Sequence, residues 1–231
     1  MIAHCMFEQS GTFKNEFKKL GIDAYDYDIQ DEFGETDYKV DLFDEIKKAY
    51  EGWGSIFDRV GEEDIIMAFF PCTRFEAKIP LSFRGESYQQ KKWTDLQKLQ
   101  YSMKLHSELH MLYERLCQLV VVAERKGLRM VIENPYTQPH YLTTYWCIKP
   151  SVIDKNRTDN GDYFKKPTQF FFINLQPSQN LVFEPLEYTE TKVISKVSGT
   201  DKTTRQTERS MMHPQYARRF IKQYILPREE T

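Results

Sequence analysis

Short apolar runs alternate with amphipathic stretches along most of this chain. DIIMA (Asp64 to Ala68) and LRMVI (Leu128 to Ile132) are near-continuous apolar runs, the pattern of strands buried on both faces. Ile2 to Phe7, Asp23 to Ile29 and the aromatic run Thr168 to Ile173 also predict strands, with Val40 to Phe43 as a short third strand. Helical spacing of Phe13, Phe17 and Leu20 predicts a helix stopped by Gly21, and Asp44 to Tyr50 predicts a brief second one before the Gly52/Gly54 turn. Thr94-x-x-Gln97 is a capping box for the longest helix. That helix carries Leu96, Leu99, Met103, Leu109, Leu112, Leu116 and Leu119 on one broad apolar face and stops at Gly127. Pro214 starts a final helix through Tyr224. Arg74 to Trp93 reads as irregular, Pro135 to Ser151 as a structured loop, and Leu181 to Thr207 as polar and weakly patterned. Strands alternating with helices predict an α/β fold with a doubly wound, mostly parallel sheet covered on both faces.

Charge adds little to this picture. A net charge of -2 gives no global attraction for a polyanion, so nucleic acid would have to meet local basic patches. No stretch is long and apolar enough to span a bilayer, and no signal-peptide pattern opens the chain. The four cysteines lack the C-x-x-C spacing of zinc sites and suit free thiols in a reducing cytoplasm, so no metal is expected.

Chemistry enters at two strand ends. Pro71-Cys72 follows one buried run and Glu133-Asn134-Pro135 follows another. Ligands of open α/β sheets bind at the carboxyl ends of the strands, so this thiol and this acid are expected to face one pocket. Together they can attack and polarise a pyrimidine ring. At the first turn, Phe7 to Thr12, Gly11 sits between strand and helix, where backbone can approach a ligand and helix N–H groups are unpaired. Asp28, ending the second strand, can bind two ribose hydroxyls, and Asp41 can accept from an adenine amino group. A solvated loop or a helix cap accounts for either aspartate equally well. Without G-x-G-x-x-G, pyrophosphate is disfavoured, and a nucleoside cofactor lacking phosphate, S-adenosylmethionine, fits better.

Phe70-Pro71-Cys72-Thr73-Arg74-Phe75 resembles the nucleophile motif of DNA (cytosine-5) methyltransferases, and Glu133-Asn134 resembles that family's Glu-Asn motif. Glu8-x-Ser10-Gly11 with Asp28, Lys166-Pro167-Thr168 and Arg209-Ser210 resemble a compact, phage-type branch, in order from about Phe7 to Tyr224. The resemblance implies a Rossmann-like methyltransferase fold with a small C-terminal recognition region. Its expected parts are a catalytic and cofactor-binding core (1–150), a reduced recognition region (151–208) with a core strand near 168–174, and a C-terminal helix (209–231) packing back on the core. It implies S-adenosylmethionine held by Phe7, Glu8, Ser10, Gly11, Thr12, Asp28, Asp41 and Phe70. It also implies a Cys72 adduct at C6 of a cytosine flipped out of DNA, with Glu133 on N3 and Asn134 holding the loop of Pro71 and Cys72. Cys72 would need partial ionisation, assisted by a helix N-terminus or Arg74, whereas burial would keep Glu133 protonatable. DNA contacts are expected from Arg74, Lys78, Arg84, Lys91, Lys92, Lys165, Lys166 and Arg209, with Tyr88 and Trp93 stacking on bases. The chain departs from the larger enzymes in two places. Gln169 is followed by phenylalanines where they carry Gln-x-Arg-x-Arg, and their C-terminal Gly-Asn-Ser-Val is absent.

His106-x-Glu108-x-His110 fails the H-E-x-x-H metal pattern and reads as surface histidines. Cys5, Cys117 and Cys147 read as core thiols, and Tyr136, Tyr141, Tyr145 and Trp146 as loop packing more than as a base pocket. Two alternatives stay open: a catalytically inactive descendant that binds DNA or a protein partner, and C5 modification of a free pyrimidine nucleotide.

Overall fold

The computed structural model describes residues 1–76, 79–137, 140–187, 190–200 and 204–227. The expected contact Lys78 lies outside these residues. Seven strands form one sheet in the order β3-β2-β1-β4-β5-β7-β6. They are β1 (Ala3–Met6), β2 (Ala24–Asp28), β3 (Tyr38–Lys39), β4 (Ile65–Ala68), β5 (Arg129–Pro135), β6 (Val152–Asp154) and β7 (Thr168–Ile173). The first five in sheet order pair in parallel, and β7 runs antiparallel to both β5 and β6. The α/β, mostly parallel expectation is borne out at this level.

Side-chain alternation explains why the apolar runs are continuous. Met6, Ile66, Ala68, Met130, Ile132 and Phe171 face a core shared with α2 (Leu42–Glu51) and α4 (Asp95–Lys126). Ala3, Cys5, Ile65, Met67, Val131 and Phe170 face the other core, shared with α1 (Thr12–Lys19) and α7 (Pro214–Phe220). Both faces are covered, so neither set can be polar.

Four local readings are corrected. The third strand is Tyr38–Lys39, because Asp41 caps α2 through Phe43 N and Asp44 N and so commits Leu42 and Phe43 to the helix. Glu133 lies inside β5, not past its end. The span 74–93 contains α3 (Ile79–Phe83) and a 3-10 turn at Tyr88–Gln90, and the loop 135–151 contains α5 (Tyr141–Tyr145). The apolar face of α4 is buried only from Leu105 onward; Leu96, Leu99 and Met103 are exposed. A 32-residue helix is about 48 Å long, roughly twice the length of the longest strand beneath it, so its first turns project past the sheet. The capping box at Thr94 and the left-handed Gly127 bound it as expected.

β1 marks the switch point. The chain runs outward from β1 to β2 and β3, then returns to β4 on the other side. Carboxyl ends of strands diverge there and leave a crevice for a ligand. The segment 151–208 contributes β6 and β7 to this same sheet, and α6 (Arg205–Ser210) with it. No helix among the described residues is long and apolar enough to cross a membrane.

Candidate active site

A cavity of about 650 Å³ opens at the carboxyl edge of the sheet. Phe7 to Ser10 line it after β1, Asp28 to Gln30 after β2, Asp41 to Phe43 at the start of α2, and Phe69 to Thr73 after β4. Glu133 on β5 and Lys166 ahead of β7 complete the base of it. The thiol and the acid expected to share a pocket do share one.

Asn134 ties their two strands together. It is wholly buried, and its Nδ2 donates to the Phe70 carbonyl at 3.1 Å, immediately before Pro71. Its strand end is held in turn by Gln169, whose Nε2 donates to the Pro135 carbonyl at 2.8 Å. Beyond Cys72 the chain turns back, with Phe75 N donating to the Cys72 carbonyl at 2.8 Å and Tyr141 N to the Phe75 carbonyl at 3.0 Å. Tyr141 stacks on Phe75, and Trp146 packs edge-on to Phe171. Neither lines the cavity; Tyr141 braces the loop that carries Cys72, and Trp146 packs on β7.

Cys72 is half-buried, with Sγ 3.9 Å from Glu76 Oε1. Burial pushes its thiol up to about 12; Glu133 and Glu76 push the same way, and Lys166 opposes them. Burial also raises the Glu133 carboxyl, against Lys166 and Arg157, and Glu133 Oε1 is buried without a hydrogen-bond partner among the described residues. Arg74 does not act on Cys72 as expected. Its guanidinium is committed to Glu108 at 2.5 Å, and Lys166, which lines the cavity together with Cys72, is the cation that opposes the rise of the thiol. Cys72 also precedes a turn, not a helix N-terminus.

The turn after β1 departs from the expected phosphate-free cradle in an instructive way. Glu8 Oε1 accepts from Phe13 N and Ser10 Oγ, both at 3.0 Å, and Ser10 Oγ also meets Thr12 Oγ1 at 2.9 Å. The chain's own carboxylate therefore occupies the N-terminus of α1, where an anion would bind. Gly11 and Thr12 do not line the cavity. Gly11 is required by φ +65° and by Glu35, whose Oε2 would lie 2.7 Å from an added Cβ. Phe7 adopts φ 59°, which costs on the order of 1 kcal/mol for a non-glycine residue and is held by contacts with Phe43 and Phe70. Asp28 accepts from Gln30 N at 2.8 Å, and burial raises its carboxyl. Asp41 is both a helix cap and a cavity residue; its two backbone bonds go to Oδ1.

The other basic positions lie elsewhere. Arg84 pairs with Glu86 at 2.9 Å, Lys91 sits 5.3 Å over the exposed Tyr88 ring, and Lys92, Lys165 and Arg209 are exposed. Trp93 packs edge-on to Tyr101. Cys5 is buried as expected, whereas Cys117 is half-buried and Cys147 exposed, because the α5 end puts Trp146, not Cys147, into the core. Sequence reasoning missed Glu32, Thr207, Ser210 and Met212 as cavity residues. Thr207 Oγ1 meets Glu32 Oε1 at 3.4 Å across 175 residues of chain, and no local pattern marks such a pair.

Beneath the cavity, Cys5, Glu8 and Asp26 bring ligand-type atoms within 4.8 Å of one another. Register pairs Cys5 with Asp26, and Lys14 Nζ, 3.4 Å from Asp26 Oδ2, supplies positive charge there. Burial, followed by the nearby Glu8, raises Asp26 to about 8. His140, which caps α5 by accepting from Leu142 N, is pushed by burial down to about 4. These two groups act oppositely on stability. Between about pH 6.5 and 4 the unfolded chain binds the His140 proton and the folded one does not, so acid removes on the order of 3 kcal/mol. Burial pushes His4 and His213 the same way. Asp26 holds a proton in the folded chain that the unfolded chain releases, so its contribution is present in acid and fades as pH rises through about 8. Because the two windows overlap below about pH 6.5, the signature is a difference between proteins: in urea unfolding, the stability of the wild type relative to His140→Gln is expected to rise by on the order of 3 kcal/mol from pH 4 to 6.5, the acid limb that His140 supplies. An acid limb unchanged in that variant contradicts the assignment.

No protein-family model matches this chain, and no curated protein does either.

Proposed function

We propose that the cavity binds S-adenosylmethionine and that the chain methylates C5 of cytosine in DNA through a covalent Cys72 intermediate. The observation that carries this reading is that Cys72 and Glu133, delivered by separate strands, line one cavity together with Asp28. The lining supports the cofactor class. Among the described residues that line it, the carboxylates of Glu8, Asp28, Glu32 and Asp41 outnumber the one lysine, Lys166, a field that suits a cationic sulfonium and opposes phosphate. Asp28 would hold the ribose hydroxyls, Phe7 and Phe70 would pack on the adenosine, and Asp41 would take the adenine amino group. When bound, S-adenosylmethionine supplies an electrophilic methyl group.

The protein's part follows from its two reacting groups. The Cys72 thiolate adds to C6 of the ring, and Glu133, as the neutral acid, protonates or holds N3 so that electron density collects at C5. Once C5 is methylated, loss of its proton to a base lets the C6–S bond break and returns the thiolate. The target base has to leave the duplex to reach this depth. On this reading the exposed Arg84, Lys91, Lys92, Lys165 and Arg209 contact phosphates, and 151–208 is the small recognition region of a compact, phage-type methyltransferase-like fold.

One feature favours the inactive-binder alternative: burial of Cys72 pushes its thiol up to about 12, which disfavours the thiolate at neutral pH in the free protein. Incubating DNA with the protein and isotopically labelled S-adenosylmethionine, then measuring nucleoside masses after digestion, separates the readings. Labelled 5-methylcytosine is expected. Unlabelled DNA together with no calorimetric binding of S-adenosylmethionine rejects the enzyme, and label only on added free nucleotide selects the third reading.

A further inference from the structure

Lys166 is the one lysine or arginine that lines the cavity among the described residues, and it shares that lining with both Cys72 and Glu133. Its backbone is fixed on each side. Lys166 N donates to the Phe164 carbonyl at 2.8 Å, and its own carbonyl accepts Thr168 Oγ1 at 3.0 Å. Tyr136 N donates to the Pro167 carbonyl at 2.8 Å, and Thr168 pairs with Pro135 in the ladder. Lys166 is thereby anchored to the same end of β5 that carries Glu133. Other cations near the site are committed elsewhere: Arg74 to Glu108, and the buried Arg157 to Asp162.

We propose that Lys166 is a positioning residue for both reacting groups, the shared counter-ion that decides whether the proton of the Cys72–Glu133 pair resides on sulfur or on the carboxylate. This rests on reading Cys72 as the nucleophile. With Glu133 ionised, the ammonium pairs with its carboxylate and the sulfur keeps its proton. Net movement of that proton from Sγ to a Glu133 oxygen, through the cavity they share and not across a direct contact, breaks the S–H bond and forms an O–H bond, with no change in net charge. The ammonium then faces a thiolate, and Glu133 is the neutral acid that N3 of a pyrimidine needs. One internal transfer therefore prepares nucleophile and acid together. The charged groups facing the pair are accounted for: Glu76 besides Lys166 at Cys72, and Arg157 and Asp162 besides Lys166 at Glu133.

The test is the rate of iodoacetamide alkylation of the Cys72 peptide against pH, followed by mass spectrometry on the full chain without cofactor or DNA. Lys166→Met is expected to slow alkylation at pH 8 by about tenfold or more, equivalent to at least about one unit on the thiol. Lys166→Arg restores most of the rate, and Glu133→Gln, which frees the ammonium for sulfur, raises it. A Lys166→Met profile that overlays the wild type overturns the proposal, as does failure of arginine to rescue in a folded variant; Lys166→Gln serves if the methionine variant misfolds. The readout needs no methyl transfer. A wild type that fails to methylate while these shifts appear refutes the proposed function alone.

Discussion

Replacing Cys72 with alanine is expected to remove methyl transfer to cytosine by a factor on the order of 10³ or more, with S-adenosylmethionine affinity held within about threefold. The asymmetry comes from the layout of the cavity. Apart from Phe70, the groups assigned to the cofactor follow β1, β2 and β3, whereas Cys72 follows β4 and is itself half-buried. Among the described residues the one hydrogen bond of its side chain is the long contact to Glu76, so the substitution is expected to leave the fold intact. Single-turnover transfer of labelled methyl, with calorimetry of the same preparation, checks both halves. A Cys72→Ala protein that still methylates cytosine rules out the covalent scheme. A variant that loses cofactor binding as well would move Cys72 from the chemistry to the architecture of the cavity.

The largest effect on stability is expected at Asp162. Arg157 and Asp162 are a fully buried ion pair, with Arg157 Nε and Nη2 both directed at Asp162 Oδ2. Asp162 Oδ1 accepts from His213 N at 2.7 Å, at the residue that caps α7, and the Arg157 guanidinium lies 5.2 Å from the centre of the Tyr216 ring. Removing the carboxylate strands a guanidinium in the core and unfastens the start of α7. Asp162→Ala is expected to cost about 3–5 kcal/mol. For a chain of this size that lowers the melting temperature by roughly 10 °C. Asp162→Asn keeps an acceptor for His213 N and should cost less. Urea unfolding decides the matter: a loss under about 1 kcal/mol in the alanine variant would mean that the buried charge finds another partner. The effect also reaches the cavity, since Asp162 opposes Arg157 in setting the Glu133 carboxyl.

The layered architecture was legible in the chain because buried strands and long amphipathic helices carry their burial in their own pattern. DIIMA and TQFFFI became β4 and β7 almost residue for residue, LRMVI became β5 with its end three residues further on, and the Thr94 box with Gly127 bounded α4. The pairing of Cys72 with Glu133 was legible for a related reason: parallel strands put their carboxyl ends on one edge, so residues at those ends converge. What stayed hidden depends on contacts between distant segments. That Leu96, Leu99 and Met103 stand in solvent follows from α4 outrunning the sheet, a comparison of lengths that no helical period contains. That one oxygen of the cavity residue Glu8 is taken by Phe13 N shows only in the folded chain, and Arg74 reads as the thiol's helper until Glu108 takes it from 34 residues away. Glu32 reaches the cavity from the loop after β2 and Thr207 from α6, two segments that no local pattern connects. Local propensity and burial are written residue by residue in the amino-acid order. The charge that each reacting group feels is a sum over neighbours, and only the folded chain brings those neighbours together.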